Sequence, residues 1–123
     1  MARLRRLGVV ASLLSAGVLL SACGTGSAVA QARTSCQFVH RALALQAQSN
    51  DKGLSANARE ILRGRAMSEL LKASPSAAAA TSSDGSWNPL MTTISEAERV
   101  PLENLVPALT RLCQVANSSS PYL

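Results

Sequence analysis

Residues 102–116, LENLVPALTRLCQVA, carry the clearest periodic pattern in the chain. Leu102, Leu105, Val106, Leu109, Leu112, Cys113 and Ala116 recur at spacings of three and four, which gathers them on one face of an α-helix. Pro107 falls inside this run. In a first turn behind an Asn104 N-cap it would cost little, whereas in a helix interior it would kink the axis and cost about 3 kcal/mol. The first arrangement is the expected one.

The same period extends upstream. Cys36, Val39, Leu43 and Ala47 form a stripe with Phe38, Ala42 and Leu45 beside it, and Asn50-Asp51-Lys52-Gly53 supplies turn residues after it. Asn57 and Glu60 have capping-box spacing, so a second helix is predicted from there, with Ala58, Ile61, Leu62, Ala66 and Leu70 inward and Met67 and Leu71 beside them. Ser74 and Pro75 suit the start of a short Ala-rich helix over 76–80, and residues 81–86 (TSSDGS) read as a loop. Asn88-Pro89 repeats the cap-and-proline signal before Leu90, Ile94 and Ala97, and Val100-Pro101 ends that helix. No alternating strand pattern and no internal repeat are found in the sequence. The pattern predicts an all-α fold, a small bundle of about four helices, over residues 35–117, with a C-terminal tail at 118–123.

The amino-terminal part is of a different kind. Arg3, Arg5 and Arg6 precede an uncharged stretch of 16 residues, Leu7 to Ala22, that would reach about 24 Å as a helix. A bilayer core needs about 30 Å, so an export leader is a better reading than a permanent span. Leu20-Ser21-Ala22-Cys23 resembles the lipobox of bacterial lipoproteins at all four positions. The resemblance implies a signal peptide over residues 1–22, diacylglycerol (with palmitate-type chains) on the Cys23 sulfur, and attachment to the extracytoplasmic face of the cell membrane. The competing arrangement is an ordinary secreted-protein signal cut after Ala28-Val29-Ala30. Residues 24–34 (GTGSAVAQART) are small and aperiodic and read as a flexible tether after the lipidated Cys23, spanning about 18 Å.

Removing the leader changes the electrostatics. The whole chain has 12 Lys and Arg against 7 Asp and Glu, but three of the arginines lie before Cys23, so the processed chain carries a balance of +2 rather than +5. The remaining Arg59, Arg63 and Arg65 suit a solvated helix face, and no nucleic-acid partner is expected. With Cys23 assigned to lipid by the resemblance, Cys36 and Cys113 are left, and after export they would meet oxidising conditions. A disulfide between them is expected to staple the bundle.

Few residues suggest chemistry. His40 is the only histidine, with no acidic residue three or four positions away, and reads as a solvated helix residue. Glu96, Glu98 and Glu103 gather loosely around Pro101 on what look like polar helix faces. No metal site, cofactor or catalytic residue is expected, and the protein is read as non-enzymatic. The only tryptophan, Trp87, lies with Leu90 and Met91 beside the 81–86 loop. It either plugs the end of the bundle or, with Leu90 and Met91, forms a binding surface for an envelope protein or cell-wall component. The alternative role is carriage of a small ligand, a lipid or haem, in a cavity between helices. Residues 84–93 and 99–109 are also similar to small Ala-rich exported proteins of actinobacteria, and the Ala- and Arg-rich composition fits a high-GC host. That likeness brings no activity or binding residues with it.

Overall fold

The computed structural model describes residues 25–119, with side chains from residue 27. The leader over 1–22, the lipobox and Cys23 lie outside the described residues, as do the last residues of the C-terminal tail. Five α-helices follow in order: α1 (Thr25–Ser49), α2 (Ala56–Lys72), α3 (Ser74–Ser83), α4 (Asn88–Glu96) and α5 (Leu102–Asn117). One 3-10 turn, Gly85–Trp87, joins α3 to α4. Among the described residues there is no strand, and the fold is the all-α bundle that the spacing predicts. No helix among them is long and apolar enough to cross a membrane.

α1 is the axis of the bundle. It packs against α2, α3 and α5, and α4 closes the far side against α3 and α5. Its 25 residues give a length of about 37 Å. The buried face runs Ala28, Ala32, Ser35, Cys36, Val39, Ala42, Gln46 and Ser49. Nearly all of these are small, so neighbouring backbones can approach closely, and α3 answers with buried Ala77 and Ala80. Ser35 is fully buried and its hydroxyl donates to the Ala73 carbonyl at 3.0 Å, where α2 passes into α3. This satisfies a polar group that would otherwise be costly inside an apolar seam.

The tether expected over residues 24–34 is therefore corrected: from Thr25 onward these residues are the first turns of α1. Ala28 and Ala32 are in the core. Arg33 holds this end by donating from Nε to the Ala116 carbonyl (2.8 Å) and from Nη2 to the Ser118 carbonyl (3.2 Å), two acceptors at the end of α5. Carbonyls left open at a helix C-terminus favour a cation in this position. The α1 face is also rotated from the predicted stripe, because Leu43 is half-buried and Ala47 exposed while Ala42 and Gln46 point inward.

Other boundaries shift for local reasons. Ser55, with extended backbone, caps α2 by accepting from Ala58 N at 3.1 Å, so the cap lies two residues before Asn57. In α2 only Ala66 and Leu70 are buried, and Ile61 and Leu71 remain 50% and 45% exposed. α3 is longer than predicted and takes in Ser74 and residues 81–83, helped by the Thr81 hydroxyl donating to the Ala77 carbonyl. α4 begins at Asn88, with Trp87 in the capping position, and buries Leu90 and Ile94 as its spacing predicts. α5 begins at Leu102, directly after Pro101, so Asn104 is not its cap and Pro107 stands inside the helix. Burial of Leu102 at the start of the apolar face outweighs the helical hydrogen bond that Pro107 forgoes.

Cys36 and Cys113 are joined by a disulfide that fastens the middle of α1 to the last turns of α5. Both cysteines are fully buried. The bridge spans a sequence separation of 77 residues, for which unfolded-chain entropy gives a stabilisation of about 4–5 kcal/mol as an upper figure. In a core this rich in alanine, each side chain buries little area, so such a constraint is a large share of marginal stability. Replacing both cysteines with alanine should lower the urea midpoint, followed by far-ultraviolet circular dichroism, by an amount equivalent to up to about 4 kcal/mol. An unchanged midpoint would mean that helix packing alone holds the fold.

Candidate functional site

The residues singled out in the sequence do not come together. Trp87 is 1% exposed and Leu90 fully buried, both within the core between α3, α4 and α5, with Met91 half-buried against it. The expected surface of Trp87, Leu90 and Met91 is thus corrected: Trp87 fills the end of the bundle. The local sequence explains why. Asp84 ends α3 in extended backbone and its carboxylate accepts from Ser86 N at 3.0 Å, which curls residues 85–87 into a 3-10 turn and swings the indole inward. The Ser86 backbone N–H, then its side chain, hold the Asp84 carboxyl below its ordinary pKa.

His40 is exposed on α1. Glu96 is half-buried and pairs with Arg99 at 2.6 Å, whereas Glu98 and Glu103 are exposed. Among the described residues no group of three or more His, Cys, Asp or Glu side chains gathers as metal ligands would. Arg59 donates to the Lys52 carbonyl at 3.2 Å, while Arg63 and Arg65 are exposed, so the three arginines do not act as one patch.

A different place has the features of a binding site. Where the C-terminal end of α1 meets α2 and the start of α5, two adjoining open compartments of about 230 Å³ and 280 Å³ form a groove. The first is lined by Gln46, Arg63, Met67, Pro101, Leu102 and Glu103. The second shares Gln46 and Glu103 and adds Leu43, Asn50, Val106 and Pro107. Gln46 forms the floor. It is only 5% exposed and borders both compartments. Its backbone carbonyl accepts from the Ser49 hydroxyl at 2.6 Å, which fixes the turn that carries it.

Pro107 borders the second compartment. It lacks the N–H that an ordinary helix residue would donate to the carbonyl four positions earlier, that of Glu103. Arg63 and Glu103 line the groove as exposed charges of opposite sign. The two ion pairs among the described residues, Lys72 with Glu69 and Arg99 with Glu96, involve neither of them. Apolar walls with a few convergent polar groups are the usual make-up of a small-ligand site. No motif in the sequence marks this groove. Gln46 belongs to no motif, and only its helical register with Val39 and Ala42 points to its burial.

Comparison with protein-family models, curated proteins and solved structures finds no match for the chain.

With Trp87 in the core, Trp87→Ala should lower the unfolding free energy by about 3–5 kcal/mol in urea denaturation, the cost of an emptied aromatic site. Wild-type stability in that variant would return the indole to the surface.

Proposed function

We propose that this chain is a lipid-anchored protein of the extracytoplasmic face of a bacterial cell membrane, with a non-catalytic binding or structural role toward an envelope protein or a cell-wall component. The observation that carries this reading is the closed Cys36–Cys113 bridge. It uses two of the three cysteines and leaves Cys23, at the end of the lipobox, outside the pair. A buried structural disulfide fits an exported protein, and export is what the basic start and apolar run before Cys23 would achieve.

The helical start of α1 supports cleavage before Cys23 over the alternative cut after Ala28-Val29-Ala30. The later cut would remove Ala28, which is fully buried in the bundle. For the role itself, the open groove around Gln46 favours binding over catalysis, since its lining offers the Gln46 and Asn50 carboxamides with the charges of Arg63 and Glu103 beside them. Carriage of a lipid or haem in an enclosed cavity is less well supported. Trp87, Leu70, Leu90, Ile94 and Leu109 fill the core, and His40 does not line the groove.

Intact-mass measurement on protein extracted from native membranes, before and after reduction and thiol alkylation, tests the reading. The expected species is the chain from Cys23 to Leu123 plus a diacylglyceryl or larger lipid increment, with no alkylation until reduction. An unlipidated chain beginning beyond Cys23 would overturn the anchor.

A further inference from the structure

We infer that the outer face of α2 binds a second copy of this chain, the two α2 helices lying parallel about a two-fold axis. The inference goes beyond the role proposed above, because the partner it names is the chain itself. The starting point is where large apolar side chains meet water. Among the described residues the exposed ones are Ile61 and Leu71, at 50% and 45%, and both stand on α2. The residues α2 buries, Ala66 and Leu70, lie on the opposite side of the helix, and α2 packs on α1.

Ile61, Gly64, Ser68 and Leu71 follow one another at spacings of three, four and three, the a and d positions of two heptads. They form one stripe, and all four are exposed. Ile61 and Leu71 stand at its ends, with the small Gly64 and Ser68 between them. A Cβ built on Gly64 would meet nothing within 4 Å, so the middle of the stripe is open to an approaching backbone. Two such stripes laid together bury four large side chains, while the small residues let the helix axes come close.

Charge selects the partner and the direction. Glu60 and Arg65 flank the stripe, both exposed, and neither belongs to an ion pair among the described residues. Five residues apart, they point about 140° from each other around one helix and cannot meet within it. In a parallel pair Glu60 of each copy faces Arg65 of the other, so the two-fold axis makes the contact twice. An antiparallel pair would instead set the two copies of Arg65 against each other. Exposed ion pairs add little affinity, but they fix orientation and register. The contact is small beside the roughly 1,200 Å² of a standard interface, so the association is reversible and depends on concentration. A two-fold axis along α2 also puts the starts of both α1 helices at one end of the pair. Anchors at Cys23, two residues before α1, would then enter the same membrane.

The test is sedimentation equilibrium of the full, disulfide-bonded chain in density-matched detergent, over a range of protein-to-detergent ratios. A monomer–dimer equilibrium is expected. Ile61→Glu and Leu71→Glu should each raise the dissociation constant about tenfold or more. Both positions face water in the single chain, so helicity and the urea midpoint of the monomer should stay as they are. Glu60→Arg and Arg65→Glu should each weaken association several-fold, and the two together should restore it, because the pair is then exchanged and not lost. For direction, Leu71→Cys should form a disulfide-linked dimer on oxidation, since parallel copies place residue 71 beside itself. Antiparallel copies would place it about 15 Å from itself and opposite residue 61. A chain that stays monomeric at every ratio, unchanged association in Ile61→Glu, or a double charge variant no tighter than the single ones would overturn the inference. So would preferential cross-linking of Leu71→Cys to an Ile61→Cys chain. A lipidated chain that stays monomeric refutes this surface and leaves the anchor standing, whereas an unlipidated chain that pairs through Ile61 and Leu71 does the reverse.

Discussion

The close approach of α1 to three neighbours depends on the small side chains along one of its faces. Ala28, Ala32, Ser35 and Ala42 present so little bulk that α2, α3 and α5 can all pack on the same helix. The gain in contact has a cost, because alanine buries less apolar area than leucine and each contact contributes little hydrophobic stabilisation. The Cys36–Cys113 bridge offsets that weakness by removing freedom from the unfolded chain, and the Arg33 hydrogen bonds tie the start of α1 to the end of α5 near the same place. Bulky residues supply the rest of the core away from this seam, with Leu70, Trp87, Leu90, Ile94 and Leu109 buried on the surrounding elements.

The parts of the fold legible in the sequence are those with a strong apolar period. On α5, Leu102, Leu109, Cys113 and Ala116 are buried where their spacing indicates, with Leu105, Val106 and Leu112 half-buried beside them, and Leu90, Ile94 and Ala97 at α4 are buried as well. The cysteine pair was legible because a lipidated Cys23 would leave one combination. The first turns of α1 were not legible, since alanine, serine and glycine give the same low signal in a tether as in a tightly packed seam. What separates the two is the surface they meet, here Ala116, Ser118 and the helices around α1, and that lies far away in the chain. Pro107 was misjudged for a related reason: intrinsic cost argued for a first turn, while burial of Leu102 decided where α5 begins.

The site followed the same logic in reverse. Trp87 attracted notice as a large residue beside a loop, and it belongs to the core because the Asp84 cap turns the chain inward. Gln46 gave no signal alone, and its place beside two open recesses exists only once α2 and α5 pack around the end of α1.

The central claim is that α1 is a continuous, packed helix from its first turns, with the small-residue seam and the bridge acting together. Native-state hydrogen exchange of the backbone amides of residues 29–35 tests this most directly. Protection close to that of residues 109–113 in α5 is the expected result, since both segments would open only with the bundle as a whole. Exchange of residues 29–35 at the rate of an unstructured chain, beside a protected α5, would contradict it and make the segment a tether after all.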